Sequence, residues 1–244
     1  MYQKYTGIIL KKYPVNEADE LLTIYTREAG KIRVMARSTH KILSKLAGSL
    51  QSLNEIEFET AHRSSGGGGL SVLISVRPRA INNYLRENLK KFAYALVGVE
   101  TLYRLSPDGQ TNSRAYESLV SFLERLGKTS EENLQVRMFQ LELLGISGFR
   151  LETDQCWGCS NRFAGHALFI VEKGGIFCGR CFEYGKPDLF LGGEELKELK
   201  LLSSGQAVSH LLPAVGTVID GFLKYVLERE IKSSRFVQTL NQES

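Results

Sequence analysis

Along the first 80 residues, apolar and polar positions fall into short runs whose period suits strands. Tyr5–Tyr13 is an apolar run that stops at Pro14, a residue that ends strand pairing. Leu21–Thr26 follows, then a turn at Arg27–Gly30, then Lys31–Arg37. In this last run Ile32, Val34 and Ala36 share one face, and Lys31, Arg33, Met35 and Arg37 share the other. Residues 38–50 suit a short helix or an ordered loop. Leu53–Thr60 alternates again, with Glu55, Glu57 and Glu59 turned outward, and four glycines at Gly66–Gly69 form the tip before a fifth run, Leu70–Val76. Five short strands in so few residues predict a small five-stranded barrel.

After Pro78 the period lengthens to that of a helix. Leu85, Leu89, Phe92, Leu96, Val99 and Leu102/Tyr103 lie on one stripe, and Pro107-Asp108-Gly109 ends it. Ser113 is placed to cap a second helix carrying Tyr116, Leu119, Leu123 and Leu126. A third, Glu131–Gly145, is apolar almost all round and therefore expected to be buried. Helical periodicity returns near Glu194, and Pro213 can open a last helix through Val226. The expected architecture is α+β and multidomain. It has a barrel domain at 1–80, a helical bundle in two parts at 81–151 and 187–244, and an insert at 152–186.

Charge sharpens this picture. The net charge is +4, but residues 1–80 hold twelve bases and seven acids, whereas the rest is nearly balanced. Arg27, Lys31, Arg33, Arg37, Lys41 and Lys45 face one acid, Glu28, within 27–45. A local cationic excess on one strand face points to a polyanionic partner, or else to a solvated basic surface. Glu17, Asp19 and Glu20 read as a solvated acidic loop. No apolar stretch approaches the ~18 residues of a membrane span. Nothing near Met1 resembles an export signal, so an intracellular location is expected. Gly127-Lys128-Thr129 lacks the earlier glycine of a phosphate-binding loop, and Gly145-Ile146-Ser147-Gly148 falls one residue short of a nucleophile elbow, so no catalytic motif is found.

All four cysteines lie in the insert, as Cys156-x2-Cys159 and Cys178-x2-Cys181 with 18 residues between the pairs. That spacing suits a four-thiolate Zn2+ site, closed and hence structural. Disulfides and a redox pair are the alternatives; disulfides need an oxidising compartment. Ala167–Val171 and Gly175–Phe177 have the look of a zinc-ribbon hairpin. The histidines His40, His62, His166 and His210 are scattered and read as surface residues.

Several of these segments, taken in order, resemble one family. They are Tyr5-Thr6-Gly7-Ile8-Ile9-Leu10, Glu17-Ala18-Asp19, Gly30–Arg37, Leu43–Leu53, Phe139–Gly145, the cysteine pairs and a terminal helix over Leu223–Phe236. Their order and spacing are similar to those of the bacterial recombination mediators of the RecO family. The resemblance implies an N-terminal OB-fold barrel, a helical domain and a zinc-binding insert. It implies binding of single- and double-stranded DNA, annealing of complementary strands, and help in loading RecA onto DNA coated by single-strand binding protein (SSB), together with RecR and in some cases RecF. It implies no catalysis, and a cytoplasmic, nucleoid-associated protein. On the barrel the candidate DNA contacts are Lys11, Lys12, Arg27, Lys31, Arg33, Arg37, Lys41 and Lys45, with Tyr13 and Tyr25 as possible stacking rings. Arg137, on the third helix, is the candidate for receiving the acidic tail of SSB, although the residues themselves slightly favour an internal ion pair there. Lys232 and Arg235 match a basic C-terminal motif. The rival reading is a zinc-containing adaptor that docks proteins without annealing DNA.

Overall fold

The computed structural model describes residues 2–17, 19–37, 48–61, 70–182 and 187–242. The chain divides into two compact units, Met1–Gly127 and Lys128–Ser244. The helices expected to form one domain therefore fall on both sides of that division.

In the first unit five strands form as the alternation requires: β1 (Tyr2–Pro14), β2 (Glu20–Thr26), β3 (Gly30–Ala36), β4 (Glu55–Ala61) and β5 (Ser71–Ala80). Antiparallel pairings link β1 to β2, β2 to β3, β4 to β5 and β1 to β4. A short parallel pairing of Val34 and Met35 with Ser71 and Val72 joins β3 to β5, so the order β1-β2-β3-β5-β4 closes on itself as a barrel. Inside it Ile9, Leu22, Ile24, Val34, Ala36, Ile56 and Phe58 form the core, with Leu50 from the preceding loop. Glu59 is exposed and Glu55 and Glu57 half-buried, opposite the buried Ile56, Phe58 and Thr60, as the period of two demands.

Among the described residues three helices follow: α1 (Asn83–Arg86), α2 (Leu89–Leu105) and α3 (Ser113–Lys128). The Asn88 side chain accepts the Lys91 N–H to cap α2. At α3 the cap is Asn112, whose Oδ1 accepts from the Ala115 N–H at 3.0 Å, and Ser113 is already helical. The β2–β3 turn is clamped to the segment joining α2 and α3. Gly30 sits at φ +62°, and a Cβ there would lie 1.9 Å from the Gln110 carbonyl oxygen, so only glycine fits. Gly109 N–H donates to the Lys31 carbonyl beside it.

The second unit holds α4 (Glu132–Ile146), a three-stranded sheet, and α5 (Gly193–Ser203), α6 (Pro213–Leu227) and α7 (Lys232–Gln242). Within α4, Leu134, Val136, Phe139, Leu143 and Leu144 are buried. The sheet has the order β7-β6-β8, from β6 (Ala167–Ile170), β7 (Gly175–Phe177) and β8 (Leu189–Leu191). The first two strands are the expected hairpin; the third was not anticipated. Phe169 of β6 packs on α6, where a Cβ on Gly221 would come within 2.5 Å of its ring. The single terminal helix expected over Leu223–Phe236 is instead two. Glu228 takes a left-handed conformation (φ 53°), its N–H bonding the Tyr225 carbonyl, and α6 ends there. No described helix is long and apolar enough to cross a membrane.

Candidate metal centre and nucleic-acid interface

The cysteine centre is built by two backbone loops flanking the β6–β7 hairpin. Cys156 N–H donates to Asn161, Ser160 N–H closes back on Cys156, and Trp157 N–H joins the Ile176 carbonyl at 2.9 Å. The second loop closes through Cys181 N–H to the Cys178 carbonyl. These bonds bring one sulfur from each of Cys156, Cys159, Cys178 and Cys181 within 4.8 Å of every other. No disulfide forms. The Cys159 and Cys178 sulfurs stand 3.8 Å apart. A tetrahedron with Zn–S bonds near 2.3 Å has edges of about 3.8 Å, so the donor set fits a zinc ion.

Hydrogen bonds shift three of the thiols in opposite directions. Burial pushes the Cys156 thiol up, but the N–H groups of Cys178, Cys159 and Gly158 outweigh it and bring it down to about 6. Backbone N–H donation, first from Cys181, also holds Cys178 below its ordinary value. Hydrogen bonds with the Cys159 and Cys156 sulfurs instead raise the Cys181 thiol to about 12. A cation among four such sulfurs would replace the shared protons. Zinc would tie the two loops together and leave no open coordination position. Cys156, Ile170 and Phe177 form a small apolar core beneath the sulfurs, with Phe163 and Phe182 packed against it.

The candidate DNA contacts lie on the barrel and the structure sorts them. Cross-strand register places Lys11, Thr23 and Arg33 in one row, and Tyr13, Leu21 and Met35 in the next. Both rows lie on the outer side of the barrel, because Leu22, Ile24 and Val34 fill the interior, although Thr23 itself is covered and buried. The near end of this face is covered by Tyr103 of α2 and by Asp108. Lys11 and Lys31 place their ammonium groups 4.1 and 4.2 Å from the Tyr103 ring centroid. Lys31 also donates to the Tyr103 carbonyl at 2.7 Å and pairs with Asp108 at 3.1 Å. At 7% exposure it is a buried structural cation, not a groove residue, which corrects its placement among the DNA contacts. Arg33 shares Asp108 at 3.2 Å yet stays half-exposed.

Lys12 reaches Glu20 at 3.6 Å, and the exposed Arg27 lies over the Tyr116 ring at 5.1 Å. Arg37 is exposed just beyond β3 and makes no ion pair with a described residue. Lys41, Lys45, His40, His62 and the tip Gly66–Gly69 lie outside the described residues. Tyr25 is 1% exposed and belongs to the core, so it cannot stack on a base; Tyr13, 52% exposed at the open end of the face, can. Tyr103 and Asp108, which decide which cations remain available, read in the sequence only as a helix-stripe position and part of the turn that ends it, with no signal of contact to β3. They meet β3 only through contacts more than 70 residues apart.

Arg137 is also engaged internally. Its guanidinium grips the Asp220 carboxylate of α6 with both Nη atoms, Nη2 to Oδ2 at 2.7 Å, and Nη1 reaches Gln140 at 3.0 Å. Only 13% of its side chain is exposed. Asp220 thus occupies the fork that an incoming carboxylate would need, which is the internal pairing the residues favoured. His166 and His210 are exposed and stand outside the cysteine cluster.

Comparison with known proteins places this arrangement in a lineage. The family model described as Recombination protein O N terminal matches residues 1–81, and that described as Recombination protein O C terminal matches residues 86–235. The chain is 29% identical to the DNA repair protein RecO of Geobacter sulfurreducens over 241 residues, 96% of each chain. It is 28% identical to that of Pelotomaculum thermopropionicum over 247 residues, covering 98% of this chain and 94% of the other. It is 29% identical to that of Moorella thermoacetica over 244 residues, covering 96% and 90%. With both family models matched in order along nearly the whole length, the chain belongs to the recombination protein O family of DNA repair proteins.

Proposed function

We propose that the chain is a recombination mediator that acts without chemistry of its own. It binds single- and double-stranded DNA on the outer face of β1, β2 and β3, anneals complementary strands, and with RecR, aided by RecF, helps load RecA onto SSB-coated single strands. The barrel, residues 1–80, is read as an OB fold. The insert 152–186 carries a structural Zn2+, and the flanking helical segments, 81–151 and 187–244, serve partner proteins such as RecR and the SSB tail.

The observation that carries this reading is the row Lys11–Thr23–Arg33 beside Tyr13–Leu21–Met35, ending at the exposed Arg37, which has no ion pair with a described residue. Cations in a row along one sheet face neutralise phosphates, and an exposed ring beside them offers a stacking surface. Lys12 and Arg27 border the face, and Lys41 and Lys45 follow Arg37 in sequence. Such a face holds backbone rather than base edges, and sequence-tolerant binding is what annealing of arbitrary strands needs.

The test is annealing of two complementary fluorescent oligonucleotides, bare and then coated with SSB, by the wild type and by Arg37→Glu/Lys41→Glu. Fast nucleotide-independent annealing that the charge reversal abolishes is expected. Undiminished annealing by the variant would move the DNA site off the barrel. No annealing by the wild type in either state would favour a protein-docking adaptor.

A further inference from the structure

The chain has one tryptophan, and it does not sit in a core. Trp157, inside the first cysteine loop, is 60% exposed. Its place is nonetheless tightly defined. Besides the backbone bond to Ile176, its Cγ stands 3.0 Å from where a Cβ on Gly175 would be, so the base of the indole rests on bare backbone. Gly175 itself is buried. The next residue, Gly158, lets the two cysteine loops touch: a Cβ there would lie 3.2 Å from the Cys181 Cβ and 3.5 Å from the Phe177 ring. A large apolar ring fixed in position yet open to water needs an explanation that a scattered surface residue does not.

The charges around it are lopsided in their availability. Glu152 accepts the N–H groups of Asp154 and Gln155, Asp154 pairs with Lys200, and Asp188 accepts the Val171 N–H. These acids are held locally, while Glu172, next to Lys173 in sequence, is exposed. Arg150, Arg162, Lys173 and Arg180 are all exposed, and none has an ion pair with a described residue. Lys173 holds its ammonium 5.4 Å from the Phe177 ring, the ring against which the Trp157-Gly158 loop packs. Arg180 lies between Cys178 and Cys181, in the loop that touches Gly158. The exposed indole thus stands in the first cysteine loop, with the exposed Lys173 beside the Phe177 ring and the exposed Arg180 in the facing cysteine loop.

We propose that this surface is a second contact for single-stranded nucleic acid, in which one base stacks on the open side of Trp157 while Lys173 and Arg180 meet the adjoining phosphates. Every base has a π-face and every nucleotide a phosphate, so the contact is sequence-tolerant. The inference rests on the nucleic-acid reading above and extends it, because annealing needs a place for each of two strands.

Because Trp157 is the sole tryptophan, its own fluorescence reports on the site. The experiment titrates the full-length, zinc-loaded chain with a short oligothymidine, following tryptophan emission and, in parallel, the anisotropy of a labelled oligothymidine. Saturable quenching is expected, and it should persist in Arg37→Glu/Lys41→Glu but vanish in Lys173→Glu/Arg180→Glu. Trp157→Ala should weaken binding about fivefold or more, while Trp157→Phe, which keeps a ring, retains most of it. Zinc content measured on each variant shows that the insert is still folded. Binding without any change in emission overturns the second contact and leaves the barrel reading intact; no binding at all overturns both. If Lys173→Glu/Arg180→Glu loses zinc but, once reloaded with zinc, is quenched as the wild type is, Lys173 and Arg180 are counter-ions of the thiolate cluster and the proposal falls.

Discussion

Lys31 shows how a residue's chemistry is decided by its neighbours. By type and by strand face it is the same as Arg33 and Arg37, yet its ammonium is buried against the Tyr103 ring, the Tyr103 carbonyl and Asp108. Lys31→Met keeps the apolar stem and removes the charge. It should cost about 1–3 kcal/mol of stability, the range for leaving buried hydrogen-bonding groups without their charged partner. It should leave oligonucleotide affinity unchanged in anisotropy titrations, whereas Arg37→Glu should do the reverse. A large affinity loss in Lys31→Met with normal melting would return Lys31 to the DNA interface. Arg137 makes the same point in the second unit, where Asp220 fills the fork that made it attractive as a docking cation.

At the scale of elements, the cysteine centre and α6 are one packed assembly. Phe169 and Val171 close over Gly221, and Tyr225 covers Gly174, which sits at φ +58° with its Cβ position 2.2 Å from the ring. The hairpin that carries the sulfurs is therefore also the surface on which α6 rests. Zinc removal by a chelator should strip amide-exchange protection from 167–177 and lower it along α6, while barrel amides keep theirs. Gly221→Ala should act from the other side, overpacking the contact by about 1–3 kcal/mol and weakening zinc retention in a chelator competition. Unchanged protection in the metal-free protein would mean that the hairpin folds on its apolar contacts alone.

At the scale of the whole molecule, binding should be governed by salt. Four phosphates neutralised on single-stranded DNA give a slope of log affinity against log salt of about −3, at roughly −0.7 per phosphate. Arg37→Glu/Lys41→Glu should make it shallower by about 1.4, a change read from anisotropy titrations over a salt series. A slope near zero would exclude phosphate-driven binding.

Much of this was legible in order along the chain. Strand alternation placed Ile32, Val34 and Ala36 toward the core, Pro213 opened α6, and the cysteine spacing anticipated a cluster whose sulfurs gather within 4.8 Å. These signals are local, because backbone periodicity and short loop closures are settled by residues only a few positions apart. The sequence by itself also determined the family, through the ordered run of weak motifs. Tertiary structure alone decided which cations stay free, that Tyr25 is core, that Arg137 holds Asp220, that the terminal helix breaks at Glu228, and that Trp157 stands open over Gly175. Each of these, except the break, turns on a partner brought from far along the chain. Burial and pairing energies depend on such partners, and no local pattern encodes them.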